Sequence, residues 1–190
     1  MTQSEKKLLE RFVKTGDAQA FSEIVNNHSS LVYGVCLRVL DDKDLAMDIS
    51  QEIFFQLAKS ASSITDSLSS WLHRVATRKA INALRETSSR RRRERQYTVE
   101  RPLEDPDWPE LSAGIDQALM QLESEYRDIL IKRFFESNTL DQIAEQNSSS
   151  TATVSRKINT GLAMMHQRLR KQGFIVAAGA LSVMLAQNAA

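Results

Sequence analysis

The sequence contains little cysteine, proline and glycine: one cysteine, three prolines and six glycines in 190 residues. The single Cys36 has no partner in the chain for a disulfide. Because helix-breaking residues are scarce and apolar residues recur every three or four positions, the sequence favours helices, and no segment shows the alternation typical of a strand. The first residues, MTQSEKKLLERF, lack the apolar core of a secretory signal, so we expect a cytoplasmic protein.

Residue patterns for catalysis are also lacking. The sequence has no nucleophile paired with a base, no glycine-rich phosphate loop and no metal-ligand cluster. Its three histidines are scattered: His28, His73 and His166. We therefore expect neither an enzyme nor a bound cofactor or metal. One alternative takes Asp44, Asp48 and Glu52, which recur every four residues, as carboxylate metal ligands, but no histidine or fourth carboxylate is placed to complete that site.

Charge is sorted along the chain, although the net charge is only +1. Residues 74–95 hold nine basic and two acidic residues, and residues 156–171 hold five basic and none acidic. Residues 41–52 hold five acidic residues and one lysine. The two basic stretches predict contact with a polyanion at two places, and the acidic stretch predicts a basic partner. Solvated surface helices are the alternative for any one stretch.

The proline-containing segment ERPLEDPDWPELSAG divides the chain. All three prolines fall within eight residues of it, which is typical of a linker. We therefore predict an all-α protein of two small helical domains joined by a flexible linker. The predicted parts are residues 4–96, a linker at 97–110, residues 111–172 and an apolar tail at 173–190. Such a linker would let the two domains lie more than one turn of DNA duplex apart.

The first domain is predicted to be a bundle of four helices. A short helix should end at Gly16, and Asp17 should cap a long second helix that reaches Leu40. The third helix should begin near Asp42. The fourth should run from about residue 70 to 86, after the serine-rich loop SASSITDSLSS.

The segment TLDQIAEQNSSSTATVSRKI, residues 139–158, predicts a helix-turn-helix. Thr139 and Gln142 form a capping-box pattern ahead of a short helix, and the NSSST run then breaks the helical spacing. Ser149 or Ser150 can cap the next helix, whose apolar residues follow at spacings of three and four. Residues near the start of that helix would face base edges and phosphates in a major groove: Thr153, Ser155, Arg156, Lys157 and Asn159.

Together these features resemble the sigma-70 family of bacterial RNA polymerase sigma factors, specifically the small extracytoplasmic-function (ECF) type, which has only the second and fourth conserved regions. Three stretches carry the resemblance in the family's order: DLAMDISQEIFFQLA (44–58), SSWLHRVATRKAINALR (69–85) and the helix-turn-helix. The resemblance as a whole covers about 160 of the 190 residues. The resemblance implies a protein that binds core RNA polymerase and directs promoter recognition, DNA melting and transcription initiation.

By this resemblance the first domain corresponds to sigma region 2 and the second to sigma region 4, with contacts to the β′ clamp and the β flap of the polymerase. The docking face on the third helix would consist of residues opposite its buried side: Asp44, Asp48, Gln51, Glu52 and Phe55. Its acidic groups suit a basic partner. Gln51 and Phe55 would add hydrogen bonding and an apolar contact at its centre.

The resemblance also implies that the fourth helix and the loop at 60–70 grip one strand of the opened minus-ten element and hold its flipped bases. The residues expected to contact this strand are Ile64, Trp71, Arg74, Thr77, Arg78, Asn82 and Arg85. Ile64 is the predicted apolar lip of the base pocket, whereas Trp71 suits the core better than a stacking platform. The arginine run at 90–95 would follow phosphates or form a solvated tail. The helix-turn-helix would read the minus-thirty-five element.

Some residues depart from the family pattern. Arg78 stands where many ECF members carry an asparagine that helps to read a flipped base, so base preference does not transfer. Ser155 and Thr160 occupy recognition-helix positions that are often basic in relatives. Gly161 lies inside the same helix, where glycine costs about 1 kcal/mol relative to alanine, so we expect a softer helix. DNA contact by the second domain alone should therefore be weak.

The apolar stretch FIVAAGALSVMLA follows Gly173 and is too short to span a bilayer in comfort. It could form a short helix that covers an apolar patch or binds a partner, associate with a membrane, or belong to a longer chain. Autoinhibition by this tail is a hypothesis, and an anti-sigma factor is a further expected partner. The alternative function is a stand-alone helix-turn-helix regulator, which leaves the acidic face and the WLHRVA helix unexplained.

Overall fold

The computed structural model describes residues 3–65, 67–94, 108–174, 176 and 180–188. Throughout these residues the regular structure is helical, as predicted. We call residues 3–94 the first unit and residues 108–174 the second unit. The first unit contains α1 (Gln3–Thr15), α2 (Ala18–Leu40), α3 (Lys43–Ser60), a 3-10 turn (Ala61–Ser63) and α4 (Leu68–Glu94). The prolines at 102 and 106 and the side chains of the arginine run at 90–95 lie outside the described residues.

Two aspartates set the starts of α2 and α3. Asp17 follows Gly16, whose positive φ of 66° ends α1, and accepts hydrogen bonds from the backbone N–H groups of Gln19 and Ala20. Asp42 accepts from the N–H groups of the second and third residues of α3 at 3.1 and 3.0 Å. Each side chain satisfies helix N–H groups that have no partner within the helix. The predicted starts of both helices are confirmed.

The core of the first unit surrounds α2, which packs against α1, α3 and α4. Its completely buried side chains come from three helices: Val32, Val35, Cys36, Ile53, Leu57, Leu72 and Ala76. The fourth helix begins at Leu68, two residues before the predicted start, and continues to Glu94, past the predicted end at residue 86. The serine-rich loop is correspondingly shorter, because the 3-10 turn and the first turn of α4 occupy most of it.

The second unit contains α5 (Trp108–Met120), α6 (Ser124–Leu130), a π-helical turn (Ile131–Phe135), α7 (Leu140–Gln146) and α8 (Thr151–Lys171). The start of α5 lies inside the predicted linker, with Pro109 as its second residue. Proline is tolerated in the first turn of a helix, where its missing N–H would have no partner within the helix. A proline that the sequence assigned to the linker is therefore part of α5.

The predicted interruption between α7 and α8 is confirmed as a turn. Thr139 and Gln142 form the capping box, with hydrogen bonds of 2.8 and 3.2 Å. Ser148 adopts a left-handed conformation with φ 48°, which ends α7. Ser150, one of the two predicted caps, accepts from the N–H of Thr153 at 3.1 Å and starts α8. The chain thus has the short helix, tight turn and longer helix of a helix-turn-helix.

Gly161 has a packing role that the helix-propensity argument did not include. It is buried in α8, and a Cβ placed there would lie 3.0 Å from Cδ1 and 3.3 Å from Cγ of Leu130 in α6. Leu130 is itself completely buried. The missing side chain therefore allows α8 to approach α6 closely, and propensity alone does not explain this glycine.

The C-terminal tail folds back on the second unit. Phe174 lies against Gly114 of α5, and His166 forms a hydrogen bond of 2.7 Å with the carbonyl of Val176. A last helix, α9 (Ala180–Asn188), packs against α8 and the π-helical turn and buries Leu181 and Leu185. Of the predicted alternatives, a short helix that covers an apolar patch matches this arrangement. Within the described ranges, no helix is both long and apolar enough to span a bilayer.

The two units are packed together, whereas the sequence predicted only a flexible linker that would let them lie apart. Helices α2 and α4 of the first unit contact α5, and α4 also contacts α6. We call this set of contacts, together with those of the π-helical turn, the unit interface. Polar side chains of α2 and α4 find charged partners across it, which gives the units a specific way to associate.

Candidate docking and nucleic-acid interfaces

The acidic surface predicted on α3 is exposed. Ala46, Ser50, Ile53 and Leu57 form the buried side of this helix. The opposite side carries the predicted docking residues, all of them exposed: Asp44, Asp48, Gln51, Glu52 and Phe55. Helical spacing explains why these five residues share one exposed side of α3. We call these five residues the acidic face.

Two contacts organise the acidic face. The ammonium of Lys59 lies 4.2 Å from the centre of the Phe55 ring, whose side chain is 65% exposed. Glu52 pairs with Lys79 of α4 at 2.8 Å, so part of its charge is already compensated. Phe55 and Met47 together leave apolar surface of α3 exposed beside the carboxylates. The arrangement therefore suits an interface with an apolar centre and a charged rim.

A groove next to the acidic face was not predicted. It has a volume of about 380 Å³ and lies between α2 and α3, with Val25, Tyr33, Met47 and Phe54 among its lining residues. Met47 is 50% exposed. Met47 lies four residues before Gln51 and therefore on the same side of α3, so the sequence alone could have placed this side chain next to the acidic face.

Metal binding finds no support in the described part of the chain. No group of three or more histidine, cysteine, aspartate or glutamate residues there could hold a metal ion.

The residues predicted to contact the minus-ten strand differ in how far they are exposed to solvent. Arg78, Asn82 and Arg85 are exposed along α4, and Arg74 is half-buried. Trp71 is half-buried and packs against the core, as expected. The remaining two, Ile64 and Thr77, are buried and need separate comment.

Ile64 and Thr77 do not lie on an open surface. Ile64 is buried and lines a small cavity beside Leu9 and Val13 of α1, so it is not the lip of an open base pocket. Thr77 is completely buried, although the sequence placed it on the outer side of α4. It follows His73 by one turn, on the side of α4 that faces the second unit. The sequence could not show that this side is covered.

The predicted major-groove residues lie along the first turns of α8. Arg156 and Asn159 are exposed, and Thr153, Ser155 and Lys157 are half-buried. Arg156 donates a hydrogen bond of 3.3 Å to the Thr153 hydroxyl. Lys157 forms an ion pair with Glu125 of α6. A cation that is already paired contributes less to phosphate binding, which agrees with the weak DNA contact expected of this unit.

The centre of the unit interface is a buried charge cluster that sequence reasoning missed. Asp116 of α5 is completely buried. Its carboxylate accepts from Arg38 of α2 at 3.2 and 3.3 Å and from His73 of α4 at 2.9 Å. Phe135 covers the cluster, with its ring 4.8 Å from the Arg38 guanidinium and in edge contact with His73. Burial acts to raise the pKa of Asp116, but Arg38 and His73 outweigh it, so the pKa is lowered overall.

A second set of polar contacts lies beside this cluster, at the first turn of α4. The Ser69 hydroxyl donates to Glu136, and the Ser70 hydroxyl donates to Asp128. Arg127 donates from Nε to Ser70 at 3.4 Å. Burial raises the pKa of Asp128, with the hydrogen bond from Ser70 opposing that effect. The first turn of α4 therefore faces two carboxyl groups of the second unit.

A cleft of about 560 Å³ opens at the edge of the unit interface. Asn27 and Gln146 lie on its two sides. At its floor the buried His28 lies 3.3 Å from Glu5 and 3.9 Å from Glu136. The cleft marks where the two units meet at the surface.

The chain is similar in sequence to several known proteins. Residues 24–90 match the family model of Sigma-70 region 2. The ECF RNA polymerase sigma factor SigW of Bacillus subtilis is 28% identical over 174 residues, which cover 83% of this chain and 93% of that protein. The RNA polymerase sigma-H factor of Pseudomonas aeruginosa is 26% identical over 175 residues, covering 83% and 90%. Among solved structures, the sigma factor RpoE of Bartonella quintana, in complex with the anti-sigma factor NepR, is similar over 80% of this chain and 98% of that one, with 15% identity and a TM-score of 0.34.

The fold and the surfaces define a class of protein first: a helical protein, throughout the described residues, with a helix-turn-helix in its second unit and an exposed acidic face in its first. The matched family model and the relatives then indicate the family. Residues 24–90 match Sigma-70 region 2, and along most of its length the chain is similar to ECF-type sigma factors of the sigma-70 family. This family is not a class of catalytic enzymes.

Proposed function

We propose that this protein docks on core RNA polymerase through the acidic face of α3 and directs the enzyme to promoters. The observation that carries the proposal is Phe55, which is 65% exposed within a row of exposed carboxylates inside the matched region 2. A basic clamp element of the β′ subunit would pair with Asp44 and Asp48 and cover the ring. Docking by Met47 and the neighbouring groove would extend the apolar part of the contact.

Promoter reading is divided between α4 and α8. The exposed side chains of Arg78, Asn82 and Arg85 would contact the opened minus-ten strand. Arg156 and Asn159 at the start of α8 would contact the minus-thirty-five duplex in its major groove. The β flap would hold the second unit at the distance that the promoter spacing demands.

Neither unit alone can select a promoter. Each reads few base pairs, and a mismatched pair typically costs about 1–3 kcal/mol, which is too little for a genome. Fixing both units on one polymerase makes the second contact intramolecular and multiplies the affinity. The protein would therefore act in the cytoplasm as a complex with the enzyme, and an anti-sigma factor would restrain it by competing for these surfaces.

A stand-alone helix-turn-helix regulator is the alternative function. It would use α8 but leave the exposed acidic face without a partner. A membrane role for the tail is not favoured, because Leu181 and Leu185 are buried against the second unit.

A mobility-shift titration separates the two functions. The full chain, core polymerase and their mixture are each titrated with a promoter fragment and with an unrelated fragment of equal length. We expect specific binding from the mixture and weak binding from the chain alone. Tight and specific binding by the chain alone would favour the stand-alone regulator.

A further inference from the structure

The cleft at the edge of the unit interface has the size of a small-molecule site. Its volume of about 560 Å³ lies within the range of about 300–1,000 Å³ that is usual for such sites. Helices α1 and α2 form one side of it, and the π-helical turn, the loop that follows and α7 form the other. None of its lining residues belongs to the acidic face or to the predicted promoter contacts. The proposed function therefore leaves this cleft without a role.

The charged side chains that line the cleft are mainly acidic. Glu5 and Glu136 both line it, with side chains 18% and 22% exposed. No lysine or arginine is among the described lining residues, and Arg133 instead donates to the carbonyl of Asn138 at 3.1 Å. His28 can carry at most one positive charge, so it cannot balance both carboxylates. A recessed site lined by one sign of charge concentrates ions of the opposite sign.

His28 is a buried polar side chain that lacks hydrogen-bond partners. It lies at the floor of the cleft and is 3% exposed. Its Nε2 lies 3.3 Å from Glu5 Oε1, and its Nδ1 lies 3.9 Å from Glu136 Oε1. These are ion-pair distances, and neither ring nitrogen forms a hydrogen bond with a described residue. Because buried polar groups are nearly always hydrogen-bonded, the floor of this cleft is short of a partner.

The other lining residues narrow the chemical class of the ligand. The amides of Asn27, Asn138 and Gln146 can bind a second polar group, and Leu8 and Leu31 are apolar. An anionic ligand is disfavoured, because it would face two carboxylates without a cationic donor. A metal ion is disfavoured as well, since no group of metal-binding side chains is found among the described residues. An organic cation with an aliphatic part matches all of these features.

We propose that the cleft binds a small organic cation, with an ammonium or guanidinium group between Glu5 and Glu136 and an aliphatic chain along Leu8 and Leu31. A guanidinium suits the site best, since its planar fork can donate two parallel hydrogen bonds to one carboxylate. This site goes beyond the proposed function, because it adds a small-molecule ligand to a chain proposed to bind polymerase and DNA.

Existing contacts hold one of the two carboxylates in place for such a ligand. Ser69 donates to Glu136 Oε1, and Asn138 donates to Glu136 Oε2 at 3.4 Å. A carboxylate offers about four acceptor positions, so these two contacts do not saturate it. Because Glu136 is already ordered, a cation that binds it has less side-chain freedom to remove.

Calorimetric titration of the full chain tests the proposal with ligands that share a four-carbon chain. Putrescine carries two ammonium groups, agmatine has a guanidinium in place of one of them, butanediol is neutral and succinate is a dianion. We expect saturable binding of agmatine and putrescine only. Glu5→Gln and Glu136→Gln should each weaken agmatine binding by about tenfold or more, because each removes a hydrogen bond between charged groups. Glu23→Gln is the matched control, since Glu23 is an exposed carboxylate of α2 outside the cleft.

Three outcomes of the titration would overturn the proposal. One is the absence of saturable binding by both cations. Another is equally strong binding of butanediol or succinate, because the charge of the ligand would then not matter. The third is unchanged agmatine affinity in the Glu5→Gln and Glu136→Gln chains, with their helicity intact by circular dichroism, because the cation would then bind elsewhere.

The histidine ring signals locate the bound cation without any change to the two carboxylates. The chain has three histidines: His28, His73 beside Asp116, and His166, which is bonded to the carbonyl of Val176. In nuclear magnetic resonance spectra of the full chain with isotope-labelled histidine, agmatine should move the His28 ring signals and leave the other two unchanged. Equal movement of all three, or of none, would contradict a site in this cleft. Neither measurement involves polymerase, so a negative result leaves the proposed docking function untouched.

Discussion

Neutralising the acidic face should weaken polymerase binding by a predictable amount. The perturbation replaces Asp44, Asp48 and Glu52 by their amides, which keep their size and lose their charge. An exposed ion pair contributes about 0.2–1 kcal/mol. Glu52 already forms an ion pair with Lys79 at 2.8 Å, so replacing Lys79 by a cation of the polymerase would add little binding free energy. The two remaining pairs, through Asp44 and Asp48, would contribute about 0.4–2 kcal/mol of binding free energy. Removing them should therefore weaken the affinity by about 2- to 30-fold.

Phe55→Ala removes the apolar part of the same contact. Covering a whole phenylalanine side chain contributes about 1.5–3 kcal/mol, and this ring is 65% exposed before docking. We therefore expect a loss of about 1–2 kcal/mol, or about 5- to 30-fold. Because salt screens exposed charges and leaves apolar burial largely intact, the amide variant should differ most from the unmodified chain at low salt. The alanine variant should differ by a similar factor at all salt concentrations.

The assay is a fluorescence anisotropy titration of labelled chain with core polymerase at several ionic strengths. The matched pair is Asp44→Asn with Asp48→Asn on α3 and Asp141→Asn with Glu145→Gln on α7, each of which removes two exposed acidic charges. Affinity of the amide variant equal to that of the unmodified chain at low salt would refute the docking role of α3. So would an equal loss in the α7 variant, because net charge would then explain the effect.

Three further predictions concern stability and the tail. Gly161→Ala should lower the unfolding free energy by about 0–2 kcal/mol in chemical denaturation. A Cβ at this position would lie 3.0 Å from Leu130 Cδ1, and such crowding costs about 1–3 kcal/mol, whereas the gain in helix propensity is about 1 kcal/mol. A clear gain in stability would contradict the packing role. Cys36 is buried, and burial is the chief cause that raises the pKa of its thiol to about 11 from 9.0. At pH 8 iodoacetamide should therefore alkylate Cys36 at least about 100-fold more slowly in the native chain than in denaturant, and rapid native alkylation would contradict the buried site. The stability that the neutral thiol contributes should be lost as pH rises from 9.0 through about 11. Leu181→Ala should lower the unfolding free energy by about 2–5 kcal/mol, because Leu181 is completely buried. Val183→Ala should change the unfolding free energy little, because that side chain is 52% exposed. If deletion of residues 173–190 leaves polymerase binding and transcription unchanged, the tail is not autoinhibitory.

The features that sequence reasoning predicted are those encoded by neighbouring residues. Asp17, Asp42 and Ser150 cap helices through hydrogen bonds to backbone groups two or three residues away, so short patterns are enough to find them. The acidic face of α3 and the break at residues 147–151 follow from helical spacing in the same way. None of these features depends on how distant parts of the chain meet.

The unit interface could not be predicted, because its partners are far apart in sequence. Arg38, His73 and Asp116 lie in three different helices, and each alone is typical of a surface or core position. Thr77 is completely buried, although the sequence placed it with the exposed residues, because helical spacing alone does not show which sides of α4 are covered. Gly161 is similar: helix propensity describes α8 alone, whereas its close approach to Leu130 depends on α6.

The most direct measurement is run-off transcription by purified core polymerase on a library of genomic promoter fragments, with and without this chain. We expect transcripts from a restricted set of fragments that appear only when the chain is added, and fewer of them when the acidic face is neutralised. Transcription that is the same with and without the chain on every fragment would contradict its role as a sigma factor.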